Sequence, residues 1–201
     1  MAQSSKTKKS QSEKDASSKK SKKGTSEKSR MNSEPDNSLH ELFIDGVKDL
    51  YWAENHLLKA IPKMIRSASN EALKTALTDH LHVTKTHVIR LEEVFGLLSE
   101  KVKAKKCDAM EGLSKEGEGI IEDTEAGTDA RDLGIIMASQ KVEHYEISSY
   151  TGLSNLASQL GLSDISRLLE QTLTEEQASS DMLSSIADSE ITYPTSQPAS
   201  V

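Results

Sequence analysis

The stretch FIDGVKDLYWAENHLLKAIPKMIRSA, residues 43–68, decides the fold that this chain is predicted to adopt. At alternating steps of four and three residues it places apolar side chains on one face of a helix, as in a helix bundle. Ser38 and Glu41 form a capping-box pattern that begins this helix. The one carboxylate on the apolar face is Glu54, at its middle. Because an unpaired buried charge is too costly to keep, Glu54 must meet a cation, a hydrogen-bond donor or a metal.

A second helix, predicted over residues 71–98, also carries polar residues at the middle of its apolar face. These residues are His80, Thr84 and His87. If the first two helices form an antiparallel hairpin, reflection about the turn between them brings Glu54 level with His87. We therefore predict that His87 is the neighbour of Glu54, and that His80 lies about two turns away.

The rest of the chain predicts two further long helices and one short helix. The short helix begins with a cap at Asp108, inside a crossover that spans residues 99–128. The first long helix follows a cap at Thr128 and ends at Gly161, and the second follows a cap at Ser163. No segment alternates as a strand would. The predicted fold is all-α: a ferritin-like four-helix bundle of two helical hairpins, joined by a long crossover with a short extra helix.

Both of these long helices carry acids at the middle of their apolar faces. Glu143 and Glu146 are three residues apart and share a face, and hairpin geometry brings Glu176 within a turn of Glu146. Carboxylates that meet imidazole in a bundle core build the ferritin-like two-metal sites, and such donors suit iron or manganese. The predicted metal ligands are therefore Glu54, His87, Glu143, Glu146 and Glu176. The alternative is a hydrogen-bonded polar layer that only sets the register of the helices.

The charge of the chain is divided between a basic tail and an acidic body. Residues 1–37 hold ten Lys or Arg and five Asp or Glu, whereas the remaining residues hold 15 and 27. The tail has too few apolar residues to offset its chain entropy, so we predict a disordered tail over 1–37. A bundle over 38–188 and a flexible end over 189–201 complete the predicted organisation. The basic tail suits non-specific contact with a polyanion such as DNA, pairing with the acidic face of a neighbouring body, or a solubilising role without a partner.

Other features of the composition bear on compartment and assembly. No segment reads as a signal peptide or as a membrane span, and the single cysteine, Cys107, excludes an internal disulfide. We therefore expect a cytoplasmic protein without a membrane partner. An exposed apolar stripe on a monomer would be a liability, so we expect a homodimer or a larger homo-oligomer.

Four stretches of the sequence resemble the YciE/YciF group of bacterial stress-response proteins. They are LHELFIDGVKDLYWAENHLLKAIPK, KCDAMEGL, QKVEHYEISSY and LTEEQASSDML, and the resemblance extends from residue 38 to about 188. It implies a ferritin-like four-helix fold and metal binding. It also implies that Glu54, Glu143, Glu146 and Glu176 match motif positions of that group.

The second helix departs from the pattern of that group. Where the group typically has His-Leu-Glu-Glu-Thr, this chain has His80-Leu81-His82-Val83-Thr84, so both acids are missing. A one-metal site and a site in which His82 substitutes for an acid both fit this change. We expect fewer than two tightly held iron or manganese ions per chain, with weak or absent oxidase or peroxide-detoxifying activity. The alternative function is that of a non-catalytic helical stress protein that associates with nucleic acid through its tail.

Overall fold

The computed structural model describes residues 37–189, which form five helices and no strand. The predictions for the basic tail before residue 37 and for the flexible end after residue 189 lie outside the described residues. The all-helical prediction is confirmed. The helices are α1 (Ser38–Ser67), α2 (Glu71–Leu97), α3 (Asp108–Asp123), α4 (Asp129–Gln159) and α5 (Ser163–Ser189).

The helices pack as two hairpins, α1 with α2 and α4 with α5. The hairpins meet through contacts of α1 with α4 and of α2 with α5. The crossover carries α3, which packs against α1 and α4. This is the predicted ferritin-like arrangement, in which long helices turn the middles of their buried faces toward one another.

The apolar core lies in two parts on either side of a polar layer. Along α1, the buried side chains of Phe43, Val47 and Leu50 belong to one apolar cluster. Those of Leu57, Ile61 and Met64 belong to the other, together with that of Ala53. Glu54 lies between the two and is fully buried. The packing therefore fixes the height of the polar layer, because aliphatic side chains close it off at both ends.

Two of the predicted helix ends are confirmed, whereas the caps predicted at Ser38, Asp108 and Ser163 each lie one residue too late, because each of these is already the first residue of its helix. The side chain of Thr128 accepts a hydrogen bond from a backbone N–H of α4, and Gly161 ends that helix with φ +75°. At α1, however, the N-cap position falls on Asn37 rather than Ser38. At α3 the cap is Cys107 rather than Asp108, because the Cys107 Sγ accepts from the N–H of Met110.

A buried carboxylate joins the two hairpins at one end of the bundle. Asp132 on α4 accepts hydrogen bonds from the backbone N–H groups of Ser69 and Asn70, each at 2.8 Å. These two residues form the turn between α1 and α2. The contact anchors that turn to α4 and so helps to set the height of the first hairpin against the second.

None of the helices in residues 37–189 is both long enough and apolar enough to cross a membrane.

Candidate metal centre

Three fully buried side chains from three helices meet in the polar layer. Glu54 comes from α1, His87 from α2 and Glu176 from α5. The His87 Nδ1 lies 2.9 Å from the Glu176 Oε1 and 3.4 Å from the Glu54 Oε1. One donor atom from each residue lies within 4.8 Å of the others, so a single metal ion could contact all three. We call these three residues the first cluster.

A second group of buried side chains lies beside the first cluster and shares Glu176 with it. Its other members are His80 from α2 and both Glu143 and Glu146 from α4. The His80 Nε2 lies 3.4 Å from the Glu143 Oε1, and the His80 Nδ1 lies 3.9 Å from the Glu176 Oε2. We call these four residues the second cluster. Because Glu176 turns one oxygen toward each histidine, it is placed to bridge two ions.

Most of the oxygen and nitrogen atoms of the two clusters that could bind a metal lack hydrogen-bond partners. In the described part of the chain, eight buried side-chain oxygen or nitrogen atoms have none, and seven of these belong to the clusters. The short distance between His87 and Glu176 is thus a close approach outside hydrogen-bonding geometry. An unsatisfied buried polar group costs about 1–3 kcal/mol, and more if it is charged. A metal ion would satisfy several of these atoms at once, and carboxylate oxygens with imidazole nitrogens suit iron or manganese.

Neighbouring side chains fix the orientation of the first cluster. The His87 Nε2 lies 2.9 Å from the Glu175 Oε2, and Arg90 donates to both oxygens of that carboxylate at 2.8 and 3.1 Å. Burial alone would raise the pKa of Glu175, but Arg90 and His87 outweigh it and lower that pKa. The ionised Glu175 accepts the Nε2 proton, so Nδ1 faces the cluster and is the nitrogen that could bind a metal once it releases its own proton. Tyr150 donates to the Glu54 Oε1 at 2.6 Å.

A hydroxyl on α5 plays a similar part for the second cluster. The Ser179 Oγ donates to the Glu143 Oε1 at 3.2 Å and lies 3.0 Å from the His80 Nδ1. On α2, the Thr84 hydroxyl bonds the carbonyl of His80 within its own helix. Thr84 therefore packs in the layer without offering a donor atom to a metal.

The clusters bind protons more strongly than isolated side chains do. Burial is the main cause that raises the pKa of Glu143, to about 8, with Glu176 adding to the rise and His80 opposing it. Burial, followed by repulsion from neighbouring acids, raises the pKa of Glu146 well above its ordinary value, and burial likewise raises that of Glu176. Burial would lower the pKa of His87, but Glu176 and Glu54 outweigh it and raise the pKa to about 10. These protons take the place that a divalent cation could occupy.

The structure brings all five sequence-predicted ligand residues into the two clusters. His87 lies beside Glu54, as the hairpin reflection predicted. His80 is not among the predicted ligands, because the alignment of hairpin partners relates α2 to α1 and not to α5. A signal was available, since His80 lies seven residues before His87 and so faces the same side of the helix. His82 is exposed and lies in neither cluster, so the hypothesis that it replaces an acid is wrong.

The family of the chain follows from comparison with known proteins. The family model described as "Domain of unknown function (DUF892)" matches residues 38–194. The chain belongs to the DUF892 family. YciF from Escherichia coli strain K12 is 42% identical over 151 residues, which make up 75% of this chain and 90% of that protein. The resemblance to the YciE/YciF group is thereby confirmed.

Solved structures of similar proteins have the same fold. The crystal structure of the E. coli stress protein YciF matches with a TM-score of 0.72 at 42% identity, and covers 75% of this chain and 94% of its own. YcfI from Rhodopseudomonas palustris, for which a structural role has been suggested, matches with a TM-score of 0.71 at 39% identity, over 74% and 94% of the two chains. A Xanthomonas campestris protein matches with a TM-score of 0.60 at 19% identity, over 77% of this chain and 93% of its own. This match supports the fold alone.

Proposed function

We propose that this protein is a cytoplasmic metal-binding protein of the stress response, and that its buried centre holds iron or manganese. The observation that carries the proposal is the set of seven unpartnered donor atoms gathered in two adjoining clusters. A bundle core would not keep so many unsatisfied polar atoms unless something satisfied them. The stress role is supported by the description of the E. coli relative as a stress protein.

The two clusters would hold up to two ions, with Glu176 as the shared ligand. Glu54 and His87 would complete the first position, and the remaining three residues of the second cluster would complete the other. The loss of two acids from α2 led to an expectation of fewer than two ions. We revise that expectation, because His80 supplies a nitrogen donor that faces the second cluster.

A bound iron or manganese ion would supply one-electron redox chemistry toward ferrous ion, oxygen or peroxide as substrates. The protein's own side chains would hold the charge of the ion. Apolar side chains close the polar layer at both ends. Glu175 would keep a proton on the His87 Nε2. Tyr150 would keep its hydrogen bond to the Glu54 carboxylate. Oxidation would be slow, as the departure of α2 from the family pattern led us to expect.

The second candidate function is that of a non-catalytic helical protein whose polar layer fixes the register of the bundle. The network in which Glu175 bonds both Arg90 and His87 favours it, because such a network is satisfied without metal. The structural role suggested for the R. palustris relative is consistent with this candidate. The two functions differ in whether the clusters bind metal with a saturable stoichiometry.

Anaerobic titration with ferrous ion, and with manganese in parallel, tests the proposed function. The wild-type protein is expected to bind saturably, with up to two ions per chain. Glu54→Ala should weaken the first position and Glu143→Ala the second, each by about tenfold or more. Glu93→Ala, which removes an exposed acid from α2, serves as the control and should bind like wild type. Absence of saturable binding in the wild type would assign the layer to the structural alternative.

The basic tail is proposed to contact DNA without sequence preference. The clustered lysines of residues 1–37 have no aromatic residues among them, so binding would depend on release of counterions. Removal of residues 1–37 is expected to leave helicity unchanged and to abolish retention on DNA at low salt. Equal retention of the truncated protein would show that the tail is not the contact.

The chain is proposed to assemble as a homodimer or a larger homo-oligomer. Light scattering of the intact protein measures this assembly.

A further inference from the structure

A groove between α2 and α5 leads to the second cluster. Its volume is about 640 Å³, which lies within the range of pockets that hold small organic ligands. Its walls are largely apolar and are contributed by both helices; they include Ala76, Leu77, Val83, Ala178, Met182 and Leu183. Metal binding by the clusters gives no reason for an apolar groove of this size.

The inner end of the groove is polar and buried. His80, Glu143 and Ser179 line it, and they are joined by the contacts of the Ser179 hydroxyl at 3.0 and 3.2 Å. Glu143 is 1% exposed, and its Oε2 has no hydrogen-bond partner. The Ser179 hydroxyl is only half-buried, so a ligand hydroxyl that reached this end could hydrogen-bond to its oxygen, whereas the buried Glu143 Oε2 is closed to a ligand.

The acidic side chains around the groove restrict the charge of an occupant. Glu71, Asp79 and Glu175 line the groove, and none of the lining residues is a lysine or an arginine. Lys74 pairs with Glu71 at 2.8 Å but does not itself line the groove. An anionic head group would therefore be repelled, and any charged head would also lose its hydration at the inner end.

We propose that this groove binds a linear apolar molecule with an uncharged hydroxyl head, such as a medium-chain primary alcohol. The alkyl chain lies along the walls of α2 and α5, and the hydroxyl lies at Ser179. The apolar walls supply the affinity, and the Ser179 hydroxyl oxygen accepts a hydrogen bond from the head group. The inference concerns binding alone and does not require that the clusters hold metal.

The test uses the full-length protein, with and without added manganese, and an uncharged fluorescent dye, N-phenyl-1-naphthylamine, as reporter. One dye molecule should bind per chain, and 1-octanol should displace it about tenfold better than octanoate does. Ala178→Trp places a large side chain in the groove from an exposed position and should weaken both ligands by about tenfold or more. Ala109→Trp, at an exposed position on α3, is the matched control and should bind like wild type. Ser179→Ala should weaken octanol several-fold but leave dye binding unchanged.

Three results would overturn the inference. Absence of saturable dye binding in the wild type is one, and undiminished octanol binding in Ala178→Trp is another. If Ala178→Trp instead converts an oligomer to monomers in light scattering, the groove is an interface between copies of this chain. Metal titration of the same samples separates this outcome from the proposed function, because metal binding can persist when alcohol binding fails.

Discussion

Replacing Glu176 by glutamine is expected to abolish tight metal binding at both positions at once. Glu176 is the one residue common to the two clusters, and its oxygens face His87 and His80 at 2.9 and 3.9 Å. An amide cannot supply the charge that a divalent cation needs from a bridging ligand. We expect affinity for ferrous ion and manganese to fall on the order of 100-fold or more, measured by anaerobic titration.

The stability of the metal-free variant separates a ligand role from a structural one. Burial raises the pKa of Glu176, so the ionised side chain is unfavourable in the metal-free bundle. The metal-free Glu176→Gln variant should therefore melt at the same temperature as wild type, or at a higher one, at pH 8. Glu170→Gln, which neutralises an exposed acid on the same helix, is the matched control. The ligand role is contradicted if Glu176→Gln binds metal like wild type, or if binding disappears only because the bundle unfolds.

The metal-free protein is expected to lose stability steadily as pH rises from about 5 to 10. Glu143 has a pKa raised from 4.5 to about 8, so the folded state holds a proton that the unfolded state releases in this window. The raised pKa values of Glu146 and Glu176 act in the same direction. The pKa of His87, raised from 6.5 to about 10, adds stability that is complete below 6.5 and is lost as pH rises through 10.

The size of this pH effect should be easy to measure. One pKa unit corresponds to about 1.4 kcal/mol, so Glu143 alone contributes on the order of 4 kcal/mol to the free energy of unfolding. The midpoint temperature of thermal unfolding should therefore fall by about 10 °C between pH 5 and pH 8 in the metal-free protein. Glu143→Gln should flatten the curve, and saturating manganese should reverse its slope, because metal binding releases protons. A metal-free wild type whose stability rises over this range would contradict the pKa assignments.

The helices of this protein could be predicted because their signals are local. The apolar row from Phe43 to Ala68 repeats at helical spacing, and the ends at Thr128 and Gly161 depend on residues within one turn. The cap of α3 was misassigned because Asp108 is the usual capping type, whereas Cys107 accepts the bond in the structure. Cys107 is held in place by Tyr145, whose hydroxyl lies 2.9 Å from its Sγ.

The candidate site could be predicted in part, because hairpin partners can be aligned by counting residues. Reflection about each turn placed His87 near Glu54 and Glu176 near Glu146. The role of His80 could not be obtained in this way, because it depends on how α2 is rotated against α5 in the other hairpin. Glu175 was missed for the same reason: the sequence does not reveal that Arg90 and His87 converge on it.

Anomalous X-ray scattering from crystals of the full-length protein grown with manganese tests the central claim most directly. Anomalous density is expected at the polar layer, beside Glu176, with one peak toward His87 and a second toward His80. Crystals of Glu176→Gln grown in the same way should lack both peaks. Absence of anomalous density between these side chains in the wild type, with the carboxylates instead hydrogen-bonded to one another, would contradict the account.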